Sequence, residues 1–430
     1  MAESMLTAES MLTPMSSPRA STSRGPVLLI LASAFLAAAG NGISLVVLPW
    51  LVLQRTGSAS AASVVAAAAT LPLLVATLVA GTAVDFLGRR RVAILADVMS
   101  ALSVAAIPVI ALTAGVDALS TLVLAGLAAL GAFFDPAGMT ARLSMLPEAG
   151  GRAGWTLDHA NSVYEAGFSL AYITGPGIGG VLIATIGAVN TMWVTAAAFC
   201  CSIAAMAALR LAGADRPAPD ERPDGVISGV MEGLRFVWRN RVLRTLGLID
   251  LAVTGLYLPM ESVLFPKYFS DRNQPAHLGW VLMALSIGGL IGALSWTWLS
   301  RHASKRATVL TATGTFACAS LAIGFLPPLP VILVLAAIVG LVYGPIGPIY
   351  NSVMQTRTPP ELRGRVIGVM TSMAYAAGPV GFMLAGPLVD AFGLTPAFLA
   401  LAVPILVIAL VCPWIPALRE LDDAAPRMAP

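Results

Sequence analysis

Two carboxylic acids lie inside one long apolar segment of this chain, residues 243–268. Asp250 and Glu261 are separated by Thr254 and Tyr257, in steps of four, three and four residues. In a helix, these steps keep all four side chains on one face, with ~16 Å between the two acids. Carboxylates within a membrane are costly and usually face a cavity, a partner or an ion path. We therefore expect this face to bind protons or cationic groups.

A third acid, Glu165, lies about two turns from the start of another apolar segment. A proton and a cation that compete for one carboxylate give the simplest mechanism of antiport, the exchange of the two across a membrane. Glu165, Asp250 and Glu261 are therefore the candidates for proton coupling and substrate binding. The alternative is a set of structural ion pairs, for instance Asp250 with Arg244 or Glu261 with Lys267.

Other apolar segments also contain polar and aromatic side chains that are candidates to line a cavity. They are Asn41, Tyr172, Tyr257, Tyr343, Tyr350, Asn351 and Tyr375. Any single one of them is more often a packing or hydrogen-bonding contact between helices than a ligand. The three histidines and four cysteines offer neither a nucleophile–base pair nor a metal cluster, so we predict no catalytic residue, no metal site and no cofactor.

The composition places these residues in a membrane. Of 430 residues, 57% are hydrophobic and 11% charged, whereas about 25% are charged in an ordinary soluble domain. A spanning helix needs about 20 mostly apolar residues. Twelve segments qualify: 26–53, 61–84, 92–113, 118–141, 158–185, 189–211, 243–268, 277–299, 307–326, 330–356, 364–390 and 394–415. The fold class is therefore an all-α polytopic membrane protein.

The basic residues are sorted by loop. All except Arg55, Lys267 and Arg272 fall in the tails or in the loops on the same side as the chain termini. The positive-inside rule then predicts a multi-pass protein of the plasma (inner) membrane with both termini in the cytoplasm. Because the basic residues are scattered over many short loops, nucleic-acid binding is excluded.

The spacing of the segments predicts two six-helix bundles, residues 26–211 and 243–416. Residues 1–25 are expected to form a disordered cytoplasmic tail, residues 212–242 a cytoplasmic linker, and residues 417–430 a second cytoplasmic tail. A pseudo-symmetric pair of bundles places the substrate site between its halves, near the middle of the membrane.

The linker contains a short amphipathic stretch. Val230, Leu234 and Val237 fall on one face of a helix there, with Glu232 and Arg235 elsewhere. This pattern is typical of a helix that lies on a membrane surface. We expect it on the inner surface.

The turn between the second and third segments has the pattern Gly-x-x-x-Asp-x-x-Gly followed by arginines. Its residues are Gly81, Asp85, Gly88, Arg89, Arg90 and Arg91. A weaker copy runs from Gly386 through Asp390 to Gly393. Gly180 and Gly187 have the same spacing of glycines, but no acid lies between them in the matching position. Three copies of one hairpin indicate repeated helix units, as in secondary transporters.

Asp85 is predicted to act as a conformational gate. At the inner end of helix two it can face the start of helix eleven, near Arg365, where the helix dipole and the arginine favour negative charge. This contact forms only when the halves close on the cytoplasmic side. Asp97 and Asp135, predicted near the cytoplasmic ends of their helices, are expected to pair with the Arg89–Arg91 cluster. The alternative to the gate role of Asp85 is a charged turn that only fixes the orientation of the chain in the membrane.

The hairpin at 81–91 resembles the signature of the major facilitator superfamily. Gly175, Pro176, Gly179 and Gly180 resemble the helix-five motif of its drug–proton antiporters, although Ala171 stands where that motif more often has glycine. Four stretches further resemble the Tap-type multidrug efflux proteins of mycobacteria. They are PAGMTARLSMLPEAGGRAGW at 136–155, LYLPMESVL at 256–264, FPKYF at 265–269 and GLVYGPIGPIYN at 340–351. The resemblance covers residues 26 to 420.

This resemblance implies a monomeric proton-coupled antiporter that exports amphipathic or cationic drugs, among them tetracycline- and aminoglycoside-like compounds, with the proton gradient as its energy source. Helix four, read as 118–141, has no arginine in its middle, where many drug antiporters of the superfamily carry one. The usual proton relay is therefore not carried over. The alternatives are a dedicated exporter of one metabolite such as a polyamine or siderophore, a membrane-embedded enzyme, or a non-transporting receptor.

Overall fold

A computed structural model describes residues 23–211, 226–359 and 362–422. Most of the predicted N-terminal tail, the first part of the linker and the end of the C-terminal tail lie outside these residues. Within them, regular secondary structure is entirely helical. The N-terminal bundle consists of α1 (Gly25–Thr56), α2 (Ala59–Leu87), α3 (Arg89–Ala114), α4 (Thr121–Arg152), α5 (Leu157–Ile186) and α6 (Ala188–Ala208).

A separate helix, α7 (Val226–Arg239), precedes the C-terminal bundle. That bundle consists of α8 (Arg241–Pro259), a π-helical turn (Met260–Leu264), α9 (Phe265–Ser270), α10 (Pro275–Leu299), α11 (Lys305–Gly324), α12 (Leu329–Tyr343), α13 (Ile346–Arg357), α14 (Arg363–Phe392) and α15 (Leu394–Val411), followed by the short α16 (Pro416–Arg419). Helix α8, the π turn and α9 form one span, and α12 and α13 form another. The described part of the chain thus has twelve helical spans, which confirms the polytopic all-α fold.

The spans alternate in direction, so the molecule has two faces. We call the face at which α1 begins and α15 ends the terminal face, and the opposite one the distal face. The three copies of the hairpin turn have the same geometry: Gly88, Gly187 and Gly393 take φ values of 89°, 81° and 86°. Only glycine adopts this conformation without steric cost. One residue thus ends a helix and begins the next.

Helix α4 is longer than the sequence pattern predicts. The apolar pattern predicts an end at 141, but the helix continues to Arg152. Arg142, counted as a loop residue from the sequence, therefore lies inside the helix. Asp135 likewise lies near the middle of α4 and not at its end.

Helix α7 forms as predicted, but a different face is buried. Val237 is fully buried, and a methyl group on Gly233 would lie 2.8 Å from the carbonyl oxygen of Arg365 at the start of α14. Leu234, expected on the same face as Val237, is exposed together with Met231 and Trp238. The helix thus packs on α14 through a small residue and leaves an apolar stripe uncovered, as an interfacial helix does.

The two bundles meet in the distal half of the molecule. Helix α2 packs on α14, α5 packs on α10, and α1 packs on α9. Asp390 at the distal end of α14 makes three hydrogen bonds to the N-terminal bundle. The conformation is therefore closed at the distal face.

Candidate transport site

Asp250 belongs to a polar and aromatic cluster in the C-terminal bundle. The Tyr343 hydroxyl donates a hydrogen bond to its Oδ1 at 3.0 Å. The Tyr343 ring lies 5.4 Å from the Phe316 ring, which in turn lies 5.2 Å from the ring of Tyr257. Three spans thus position the carboxyl group, and its neighbours are a phenol and aromatic rings. Such a group can gain or lose a proton without breaking an ion pair.

Glu261 lies in the π-helical turn of the seventh span. Pro259 and Pro266 flank this turn, and each lacks the N–H that an α-helix needs there. The Tyr257 hydroxyl lies beside the Glu261 carboxyl group and is buried without a hydrogen bond of normal geometry among the described residues. Isolated π turns occur frequently at functional sites.

The π turn also lies where the two bundles meet. It packs against α1 and α2 of the N-terminal bundle as well as against α14 of its own bundle. Any change in the charge or hydration of Glu261 therefore acts on the contact between the bundles. Asp250, by contrast, points toward partners within its own bundle.

The ion pairs considered as alternatives for these acids are not the ones that form. Lys267 pairs with Asp271 at 2.5 Å. Arg244 donates a hydrogen bond to the carbonyl oxygen of Trp238 at 3.1 Å. In the described part of the chain, Asp250 and Glu261 are therefore placed beside neutral groups.

The predicted pairing of Asp135 with the arginines of the hairpin is wrong. Its Oδ2 accepts a hydrogen bond from Asn41 Nδ2 at 2.6 Å, deep between α4 and α1. The reason is the greater length of α4, which places Asp135 in mid-helix. Asn41, predicted to line a cavity, thus holds this carboxyl group.

The predicted pairing of Asp97 with that cluster is also wrong. Asp97 instead forms an ion pair with Arg142, and only 3% of Asp97 and 4% of Arg142 are exposed. Arg142 Nε also donates to Ser33 Oγ at 2.8 Å, and Ser202 Oγ donates to Asp97 Oδ2 at 2.7 Å. This network joins α1, α3, α4 and α6.

Sequence reasoning missed the network because it assigned Arg142 to a loop. The apolar pattern does continue after 141, with Leu143, Met145 and Leu146, and this signal predicts a longer helix. Arg142 is seven residues after Asp135, on the same face of α4. The expectation that α4 contains no internal arginine is corrected.

The hairpin arginines have other partners. Arg89 forms an ion pair with Glu148 at 3.6 Å and donates to the carbonyl oxygen of Ser144 at 3.1 Å. Arg90 donates to the last carbonyl groups of α6, with Nε 2.9 Å from the Met206 oxygen. Arg90 therefore caps the end of α6, whereas Arg89 binds α4 away from its end, and both stay within their own bundle. The surroundings of Gly81 and the side chains of Asp85 and Tyr375 lie outside what the structure describes.

Arg365, expected near Asp85, forms an ion pair with Glu232 of α7. The start of α14 is thus attached to the linker helix in this conformation. Glu165 and Asn351 are exposed, and Tyr172 is 44% exposed with its ring stacked 6.3 Å from Phe168. The Tyr350 hydroxyl donates to the carbonyl oxygen of Leu246 at 3.3 Å, so it also joins two spans of the C-terminal bundle.

The glycine motif of α5 lies at a crossing with α1. A methyl group on Gly175 would lie 2.8 Å from Gly42 Cα, and one on Gly179 would lie 3.3 Å from the carbonyl oxygen of Ile43. The Pro176 ring touches Gly42 as well. Small residues thus let the two helices approach closely.

The same motif faces the other bundle on its second side. A methyl group on Gly180 would lie 2.6 Å from the carbonyl oxygen of Pro275 and 3.1 Å from Gly279 Cα, both in α10. The carbonyl oxygen of Pro176 also lies at this crossing, 2.9 Å from a methyl group placed on Gly279. The motif therefore forms part of the distal seam between bundles.

Gly180→Ala is expected to weaken closure of this seam, because the added methyl group meets backbone that cannot rotate away. Overpacking of this kind costs about 1–3 kcal/mol. We expect a markedly lower rate of transport with normal insertion into the membrane. Gly167→Ala is the control, since no atom lies within 4 Å of a methyl group there. Equal transport by the two variants would contradict this account of the seam.

The sequence also matches a known protein family. A model described as Major Facilitator Superfamily matches residues 30–382. The chain belongs to the major facilitator superfamily. It is therefore a multi-pass membrane transporter and not an enzyme, as the resemblance in the sequence implies.

Relatives within the superfamily match over almost their full length. The chain is 67% identical over 404 residues to the multidrug efflux pump Tap of Mycolicibacterium fortuitum, covering 94% of this chain and 99% of the relative. It is 62% identical over 403 residues to Tap of Mycobacterium tuberculosis, covering 94% and 96%. A crystal structure of the nucleoside transporter NupG has the same fold, with a TM-score of 0.73, 13% identity, and 90% and 98% of the two chains covered.

Proposed function

We propose that this protein is a multidrug efflux pump that exports amphipathic or cationic small molecules in exchange for protons. The observation that carries the proposal is the 67% identity, over 99% of its length, to a relative named as a multidrug efflux pump. Tetracycline- and aminoglycoside-like compounds are the proposed substrates. The proton gradient is the proposed energy source, and the working unit is a monomer.

The proposed location is the plasma (inner) membrane, with the terminal face in the cytoplasm. The support is the distribution of charge: Arg89, Arg152 and Arg301 lie at the terminal face, whereas Arg55 and Arg272 are among the few basic residues at the distal face. In this orientation, the conformation with its distal face closed is the one that takes up drug from the cytoplasm.

Alternating access provides the proposed mechanism. A drug binds from the terminal face while the distal seam is closed, and the bundles then rock so that the distal face opens. Protonation of Glu261 is suited to change the contact between the bundles, because the π turn packs on both of them. A protonated Glu261 is neutral, and its loss of a proton leaves a charge beside Tyr257 that favours a wetter, more open seam.

Asp250 and Asp135 are proposed to act with it, one in each bundle. Each of these carboxyl groups has a neutral hydrogen-bond donor, Tyr343 in one case and Asn41 in the other. A neutral donor stabilises the carboxylate without fixing it as an ion pair. A cationic drug and a proton can therefore compete for the same oxygen atoms.

The test is transport by the purified protein in liposomes with an imposed pH gradient. We expect a dicationic dye and tetracycline to be moved against their concentration gradients, and the movement to stop when a proton carrier collapses the pH gradient. Transport of spermidine alone would indicate a dedicated polyamine exporter instead. Transport that persists without a pH gradient would exclude proton coupling.

A further inference from the structure

The acidic residue of the weaker hairpin copy makes hydrogen bonds that join the two bundles at the distal face. Asp390 lies in the last turn of α14, and its Oδ1 accepts a hydrogen bond from the backbone N–H of Ala59 at 2.8 Å. Its Oδ2 accepts from the backbone N–H of Ser60 at 2.9 Å and from Ser58 Oγ at 2.8 Å. A carboxylate of one bundle thus caps the first turn of α2 in the other.

This arrangement has a clear physical basis. The first N–H groups of a helix have no partner within the helix, and the helix dipole places partial positive charge there. Ser58, the residue before α2, caps this helix by accepting a hydrogen bond from Ala61 N at 3.2 Å. Its hydroxyl proton remains available to bind Asp390. The cap from Asp390 exists only while the two helix ends are together.

Gly386 allows this approach one turn earlier on α14. A methyl group there would lie 2.5 Å from Ser63 Oγ and 2.6 Å from Ser60 Cα. Gly393 then ends the helix with a φ of 86°. Each fixed residue of the pattern Gly386-x-x-x-Asp390-x-x-Gly393 therefore has a role: close contact, capping and termination.

We propose that Asp390 is a latch that holds the distal face closed and sets the balance between the two states of the transporter. At the opposite ends of the same two helices, Asp85 lies in the last turn of α2, at the terminal face where α14 also begins. The two hairpin copies then alternate: Asp390 caps α2 in the distal-closed state, and Asp85 is expected to cap α14 in the other. The inference rests on the proposed alternating access, but not on proton coupling or on any substrate.

The test measures distances between the bundles in a variant whose four native cysteines are replaced by alanine. Spin labels at Leu122 and Phe325 report on the distal face, and labels at Leu157 and Trp298 report on the terminal face. All four positions are exposed. Neutralising the cap with Asp390→Asn is expected to shift the population about 2- to 30-fold toward the distal-open state. The distal distance should lengthen and the terminal distance shorten together.

Asp117→Asn is the matched control. Asp117 also lies at the distal face, but it pairs with Arg55 of its own bundle at 3.7 Å. Asp390→Ala should have the larger effect, and Asp390→Glu should restore part of the closed population. Unchanged distances at both faces in Asp390→Asn and Asp390→Ala would overturn the proposal, and so would a change at the distal face alone, which indicates local fraying. Because no drug or pH gradient is present, loss of transport function cannot produce either result.

Discussion

Glu261→Gln is expected to abolish uphill export, reducing pH-gradient-driven transport to the level of protein-free liposomes. Glutamine has nearly the same shape as glutamic acid but cannot release a proton. If Glu261 couples protonation to the seam between the bundles, the variant should still exchange labelled for unlabelled drug across the membrane. In Glu261→Gln, coupled transport should therefore be lost and exchange retained when both are measured on the same preparation.

The position of Glu261 is the reason to expect so large an effect from one atom. The π turn that carries it packs on α1 and α2 of the other bundle. A charge at this seam requires hydration or a partner, whereas a neutral side chain does not. Asp250 and Asp135, which lie within their own bundles, should affect drug affinity more than coupling.

Asp271→Asn is the control for this experiment. Asp271 follows the end of the same span, but it is paired with Lys267 at the surface. The control should transport like the unmodified protein. Uphill export that survives in Glu261→Gln would show that another acid carries the coupling.

Arg142→Met is expected to cost about 3–5 kcal/mol of stability, since it leaves the Asp97 carboxylate buried without its partner. Both side chains are almost completely buried, and the pair joins four helices through Ser33 and Ser202. A lower midpoint of thermal unfolding in detergent, with poor insertion in cells, is the expected measurement.

Two further variants separate this effect from a general sensitivity to loss of arginine. Arg152→Met removes an exposed pair with Glu148, and pairs of that kind contribute only about 0–1 kcal/mol. The double change of Arg142→Met with Asp97→Leu should recover most of the lost stability, because no unpaired charge remains. If the double variant is as unstable as the single one, the ion pair is not the cause.

Much of the architecture follows from the sequence because each spanning helix must satisfy its own backbone and face lipid. The twelve spans, the glycine hairpins and the family are local patterns, and they are confirmed. Helix ends are harder to predict from the apolar pattern. An end of helix four at residue 141 places Asp135 near the helix end and Arg142 in a loop, whereas both lie inside α4.

Contacts between distant parts of the chain could not be predicted in this way. Asp390 and Ala59 are 331 residues apart, and nothing in either local pattern indicates that one caps the other. The same is true of Arg142 with Ser33 and Ser202. Such contacts depend on how the bundles pack, which periodicity does not specify. The proton-coupling acids remain predictions for the same reason.

The most direct test of proton-coupled exchange is to ask whether a drug gradient alone moves protons. Liposomes that contain the protein and a trapped pH indicator are placed in a solution of a membrane-impermeant dicationic dye, with equal pH on both sides. Antiport predicts that the lumen becomes alkaline as dye enters, in the unmodified protein and in Asp271→Asn but not in Glu261→Gln. Entry of dye with no change in lumenal pH would contradict the account.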